Sequence, residues 1–198
     1  MFKNKILPKQ LKVWFAGYVK RFYSEDAQYN LNIKMKEEHA RRVCSEIVDI
    51  GKSLELDKDI LCLAEIAALF HDIGRFEQYT RYGTFVDGIS EDHAALGVRI
   101  INKEGILDGF DSKKRSTILR TITYHNHAEL PMNETGKCIL LTKLLRDADK
   151  IDIWRIVTGY YHKKDGIRNI SIELDLPDTP EVSDKYYDRY CSRKNCQN

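Results

Sequence analysis

In Leu69-Phe70-His71-Asp72-Ile73-Gly74-Arg75 an imidazole and a carboxylate stand side by side at the end of an almost wholly apolar helical run. Desolvating such a pair is costly unless something neutralises it, either a divalent cation or a local hydrogen-bond network. On the dipeptide alone the network is the commoner outcome, since a His-Asp pair can cap its own helix. The other histidines shift that balance. Of six in the chain, His39, His71, His93, His125 and His127 fall at expected helix ends or on apolar helix faces, and only His162 lacks such a setting.

The elements that must position them read as helices. A first helix over residues 8–24 carries Leu11, Trp14, Phe15, Tyr18 and Phe22 at helical spacing, the signature of a core stripe. A second is expected from near Lys34, with His39 one turn before Val43 on the face that also holds Ala40, Cys44, Ile47 and Val48. Asp57 caps a third over residues 58–72, along which Ile60, Ala64, Ala67 and His71 stack, and Gly74 is read as its end. The segment 75–85, with two arginines and four aromatics, reads as a packed loop or the wall of a pocket. Ser90 is expected to cap a helix with His93, Leu96, Gly97 and Ile100 on one face, and Asp111 another that aligns Ile118, Ile122 and His125. After a loop over 131–136, Leu141, Leu145, Ala148 and Asp149 share an edge. Asp147, Asp149 and Asp152 lie within that apolar pattern, so they must face different ways. Trp154, Ile156, Val157 and Tyr160 are expected core of the same or a restarted helix, and Ile170, Ile172 and Leu174 alternate like a short strand before a charged tail. The fold class is all-α.

With 198 residues the chain can bury a core without staples. A net charge of +2 argues against a nucleic-acid protein relying on a basic face, although residues 3–21 are locally basic. Cys44, Cys62 and Cys138 sit in apolar helical patterns, as expected of free thiols in a reducing compartment, and Cys191 and Cys196 fall in a polar terminus. No apolar run reaches membrane-spanning length and no signal-peptide core follows Met1, so the expected location is cytoplasmic.

The order His39, His71-Asp72, His93, His125, Asp149 resembles the HD-domain superfamily, through Lys36-Glu37-Glu38-His39, Leu69-Phe70-His71-Asp72-Ile73-Gly74-Arg75 and Asp147-Ala148-Asp149-Lys150-Ile151-Asp152. The resemblance implies a helical bundle with a metal site in its core: an HD domain over 1–165, its motifs within about 34–155, and a C-terminal extension over 166–198. It makes His39, His71, Asp72 and Asp149 ligands of one ion, with Asp147 in reserve for Asp149. It implies a second ion at His93 and His125, with Asp72 bridging and His127 the alternative to His125. Such a ligand set suits manganese, iron, zinc, nickel or cobalt better than calcium.

The activity implied is metal-dependent phosphohydrolysis of a small phosphorylated molecule, nucleotides included, by a metal-activated water. Asp72 would orient that water, and Lys150 and then Arg75 would contact phosphate; Arg81, Arg120 and Arg146 read as surface charges. Specificity is expected in the segments 76–85 and around Pro131. The same inventory also resembles the superfamily's mixed-valent diiron oxygenases. An HD-type nuclease is a further alternative, disfavoured by the near-neutral charge. No nucleic-acid or membrane partner is expected.

Overall fold

A computed structural model describes residues 8–162 and 170–173. The chain divides into two compact units, Met1–Gly166 and Ile167–Asn198. The first contains α1 (Pro8–Val19), continued by a 3-10 turn at Lys20–Phe22, α2 (Ala27–Ser53), α3 (Lys58–Phe70), α4 (Gly74–Tyr82), a 3-10 turn at Asp87–Ile89, α5 (His93–Lys103), α6 (Ser112–Tyr124) and α7 (Gly136–His162); in the second, α8 spans Ile170–Glu173. Every regular element among the described residues is helical, which bears out the all-α class. None of these helices is long and apolar enough to cross a membrane.

The long helices α2 and α7 pack together, with α3 against both. The α6 helix lies on α3 and α7, α5 on α4 and α6, and α1 on α3. The stripe on α1 is core: Leu11, Phe15 and Tyr18 are buried, and Phe15 meets Phe70 and Phe76 edge to face, with centroids 6.1 and 5.8 Å apart.

Several boundaries differ from the sequence expectation. Helix α2 starts at Ala27 rather than near Lys34, because Asp26 accepts from the amides of Gln28 and Tyr29 and so caps a polar first turn. Asp92, not Ser90, caps α5, accepting from Ala94 and Ala95, while Ser90 donates to the Val86 carbonyl. The segment read as a loop is mostly helix α4, and Gly74 begins it instead of ending α3. This glycine serves close approach: a Cβ there would stand 2.2 Å from the His93 carbonyl oxygen and 2.8 Å from the Gly97 amide nitrogen. The left-handed terminator is Gly83, at φ 66°. Trp154 is 71% exposed, and Ile156, Val157 and Tyr160 are half-buried, since α7 runs on past the helices that cover its first half. Ile170 and Ile172 belong to α8 rather than a strand. Leu174, Cys191 and Cys196 lie outside the described residues.

Candidate metal centre

Four helices each bring one histidine to a common point. His39 is mid-way along α2; His71 and His125 follow the last residues of α3 and α6; His93 is the first residue of α5. All four are buried. The last carbonyls of a helix lack intrahelical partners, and His71 and His125 use theirs identically: Nδ1–H donates to Ala68 O at 2.7 Å and to Ile122 O at 2.6 Å. The other two donate to carboxylates, His39 Nδ1–H to Asp152 Oδ2 at 2.7 Å and His93 Nδ1–H to Asp87 Oδ2 at 2.6 Å. Carbonyls and carboxylates only accept, so Nδ1 carries a proton in each ring, which leaves Nε2 as the atom that presents a lone pair whenever the imidazole is neutral.

Those Nε2 atoms converge on two carboxylates. His39 Nε2 lies 3.0 Å from Asp149 Oδ1 and 3.7 Å from Asp72 Oδ2, and His71 Nε2 lies 3.6 and 3.7 Å from the same atoms. On the other side of Asp72, its Oδ1 is 3.3 Å from His93 Nε2 and 4.0 Å from His125 Nε2, and those two nitrogens are 3.0 Å apart. Lone pairs thus face lone pairs. Nε2 of His39 and of His71 are buried without a hydrogen-bond partner, an arrangement that a cation relieves. Among the described residues three groups of ligand atoms are close enough to hold an ion: His39-His71-Asp72 and Asp72-His93-His125, both buried and sharing Asp72, and Asp87-Asp92-His93, in which both carboxylates are at least partly exposed. Imidazole nitrogens with carboxylate oxygens fit a divalent transition metal.

The electrostatics agree. Burial opposes ionisation of Asp72, but Lys36, His71, Arg75 and His93 hold its carboxyl well below the usual range. Asp149 is likewise depressed, burial being outweighed by His39 and His71. Burial, with the charges of His71 and His93, pushes His125 down to about 3, so it stays neutral and open to a metal. Burial lowers His71 too, but Asp72 and Asp149 raise it further, which expresses the preference of these carboxylates for positive charge on Nε2.

Asp149 faces the cluster and Asp147 is exposed. His125 joins the cluster, whereas His127 is exposed beside the Tyr124 ring. Lys150 is exposed next to Asp149. Arg75 Nε is 3.4 Å from Asp72 Oδ1, but its Nη1 is taken up by Gln78 Oε1, the Phe85 carbonyl and Asp87 Oδ1, so it braces the site instead of standing free for a phosphate. Arg81 pairs with Glu77 and Glu91, and Arg120 with Glu134.

The sequence reading missed Lys36 as a site residue. It sits one turn before His39, with Nζ 2.9 Å from Asp72 Oδ2 and 5.3 Å from the Phe85 ring centroid. Its signal was the three-residue step to His39, visible but indistinguishable from that of any surface lysine. The Nδ1 acceptors Asp87 and Asp152 were missed also. Asp152 is fully buried and receives two hydrogen bonds from Arg42 besides that of His39. Asp87 is anchored by Arg75 and by the fully buried Gln78.

Carboxylates that orient ligating histidines usually contribute 10–100-fold to metal affinity, as an order of magnitude. Asp87→Ala is therefore expected to weaken binding at the His93 side by roughly that factor while sparing the His39 side. Titrating stripped protein with cobalt and following its absorption reads the two sides apart; unchanged binding of both ions would remove His93 from the ligand set.

The HD-domain family model matches residues 37–154, more than half of the chain. The crystal structure of a predicted HD superfamily hydrolase from an uncultured Thermotogales bacterium is similar at a TM-score of 0.50 and 20% identity, over 91% of this chain and 89% of that one, a likeness of fold. No curated protein matches. With its motifs inside the matched segment, and its fold shared with a solved HD structure, the chain belongs to the HD-domain family.

Proposed function

We propose that the protein is a metal-dependent phosphohydrolase acting on a small phosphate ester, with nucleotides among the candidate substrates. The observation that carries this reading is the pair of buried, partnerless Nε2 atoms of His39 and His71 directed at ionised carboxylates. His39, His71, Asp72 and Asp149 would hold one divalent ion, and His93 and His125, with Asp72 shared, a second. When bound, such ions act as Lewis acids that make water nucleophilic at neutral pH and offset charge on a phosphoryl group.

The protein's own groups do the rest. Asp152 and Asp87 keep Nδ1 protonated and Nε2 available on His39 and His93. Arg75 fixes Asp72 to the 3-10 turn at Asp87. Lys36, whose Nζ already rests on a carboxylate oxygen of the site, supplies a cation for an anionic substrate, and the exposed Lys150, next to Asp149 in the chain, is a second candidate cation.

The test is phosphate release from a panel of nucleotides and sugar phosphates by metal-stripped protein resupplied with manganese, cobalt, nickel, zinc or ferrous iron, with and without oxygen. Release that needs metal but not oxygen is expected. Absence of release with every metal, together with oxygen uptake in the iron sample alone, would replace this reading by a diiron oxygenase.

A further inference from the structure

Asn32 lies on α2 one turn before Lys36 and is only 5% exposed. Its Nδ2 donates to Tyr79 Oη at 2.7 Å, while its Oδ1 is buried with no hydrogen-bond partner. A buried amide oxygen left unmatched is costly, and such groups in folded proteins call for a partner. Turning the amide over does not remove the problem: Tyr79 would then donate to Oδ1, and Nδ2 would be stranded instead.

The pair is continuous with the metal centre. Tyr79 stacks on Phe85 at 4.6 Å, the Phe85 ring lies 5.3 Å from Lys36 Nζ, and Lys36 touches Asp72. Asn32, Lys36 and His39 follow one another by steps of four and three along one face of α2, which places Asn32 about 6 Å beyond Lys36 and about 10 Å beyond His39 along the helix axis. That is the scale on which the organic part of a small phosphate ester extends from its phosphorus.

We infer that Asn32 and Tyr79 form the subsite for a hydroxyl group on that organic part, carried by a sugar or polyol. This rests on the phosphohydrolase reading above. With Nδ2 given to Tyr79, the phenol keeps its own proton to donate and Asn32 keeps Oδ1 to accept, side by side. A hydroxyl both donates and accepts, and it is matched whichever way the amide is turned. A methyl or methylene group at this point would leave the amide unsatisfied, so the site discriminates by hydrogen bonding.

The test is equilibrium binding, by calorimetry, of inorganic phosphate and of the non-hydrolysable phosphonate counterparts of ribose 5-phosphate and of a nucleoside 5′-monophosphate to the metal-loaded full chain. In Asn32→Ala the affinity for a sugar-bearing ligand is expected to fall about tenfold, with inorganic phosphate unchanged. Tyr79→Phe is expected to show the same selectivity with a loss of several-fold, and it decides the matter if the alanine variant does not fold. Loss confined to the ribose phosphonate or to the nucleoside phosphonate supports the subsite and identifies the source of the hydroxyl. Equal binding by wild type and both variants overturns it and leaves a buried water as the partner of Asn32. So does a parallel loss of inorganic phosphate, or failure of wild type to bind either sugar ligand. A separate arm follows p-nitrophenyl phosphate, which has no sugar or polyol hydroxyl: failure of wild type to release phosphate from any ester sinks the phosphohydrolase reading without touching the binding comparison.

Discussion

Asp72→Ala is expected to abolish metal retention and phosphate release together. Both oxygens of this carboxylate are in use, Oδ2 against Lys36, His39 and His71 and Oδ1 against His93, Arg75 and His125. Removing it takes away the anion shared by the two candidate ion positions and leaves Lys36 and Arg75 as unopposed cations facing them. Stripping one partner from a buried ionic set usually destabilises a fold by about 3–5 kcal/mol, so denaturant unfolding of the variant is followed beside its metal content. Metal content after dialysis and phosphate release per metal-loaded protein give the two readings. Asp72→Asn, which keeps the shape and one acceptor oxygen but not the charge, is expected to lose metal as well, separating charge from packing. Full activity in the alanine variant would mean that the shared-carboxylate arrangement is wrong.

Gly74→Ala tests how the histidines are brought together. The added methyl would meet the His93 carbonyl oxygen at 2.2 Å and the Gly97 amide nitrogen at 2.8 Å, and both are backbone atoms of α5. No rotamer change relieves that contact, so α4 and α5 must move apart. The loss of stability is expected to exceed the roughly 1–3 kcal/mol typical of an overpacked core, where side chains can give way. Denaturant unfolding of metal-stripped protein measures it without interference from metal binding. Since His93 is the first residue of α5, the displacement carries a ligand with it, and metal titration is expected to show the His93 side weakened more than the His39 side. Unchanged unfolding would sink this account of the glycine.

Much of the architecture was legible because it is local. Three- and four-residue apolar steps marked the buried faces of α1, α3 and α6, and Asp57 and Asp111 announced two helix starts by the chemistry of a capping carboxylate. The errors arose where one residue type serves two ends. Gly74 reads as a terminator, since a glycine after an apolar helix usually supplies a left-handed turn, whereas here it permits close backbone approach at a helix start. The apolarity of Trp154 and its neighbours suggests core, but α7 outruns its cover there.

The site divides in the same way. The all-α class, the placing of His39, His71, His93 and His125 at helix ends or on inner faces, and the differing orientations of Asp147, Asp149 and Asp152 are legible along the chain. Asp149 already reads as lying on the apolar edge of its helix, but that Asp152 lies behind His39, that Lys36 rests on Asp72 and that Asp87 holds His93 follow only from the packing of the helices. Helical periodicity and capping act within a few residues and can be read along the chain. The bond between His39 and Asp152 spans 113 positions, and its existence depends on the relative rotation of α2 and α7, which is set by the packing of every apolar side chain between them.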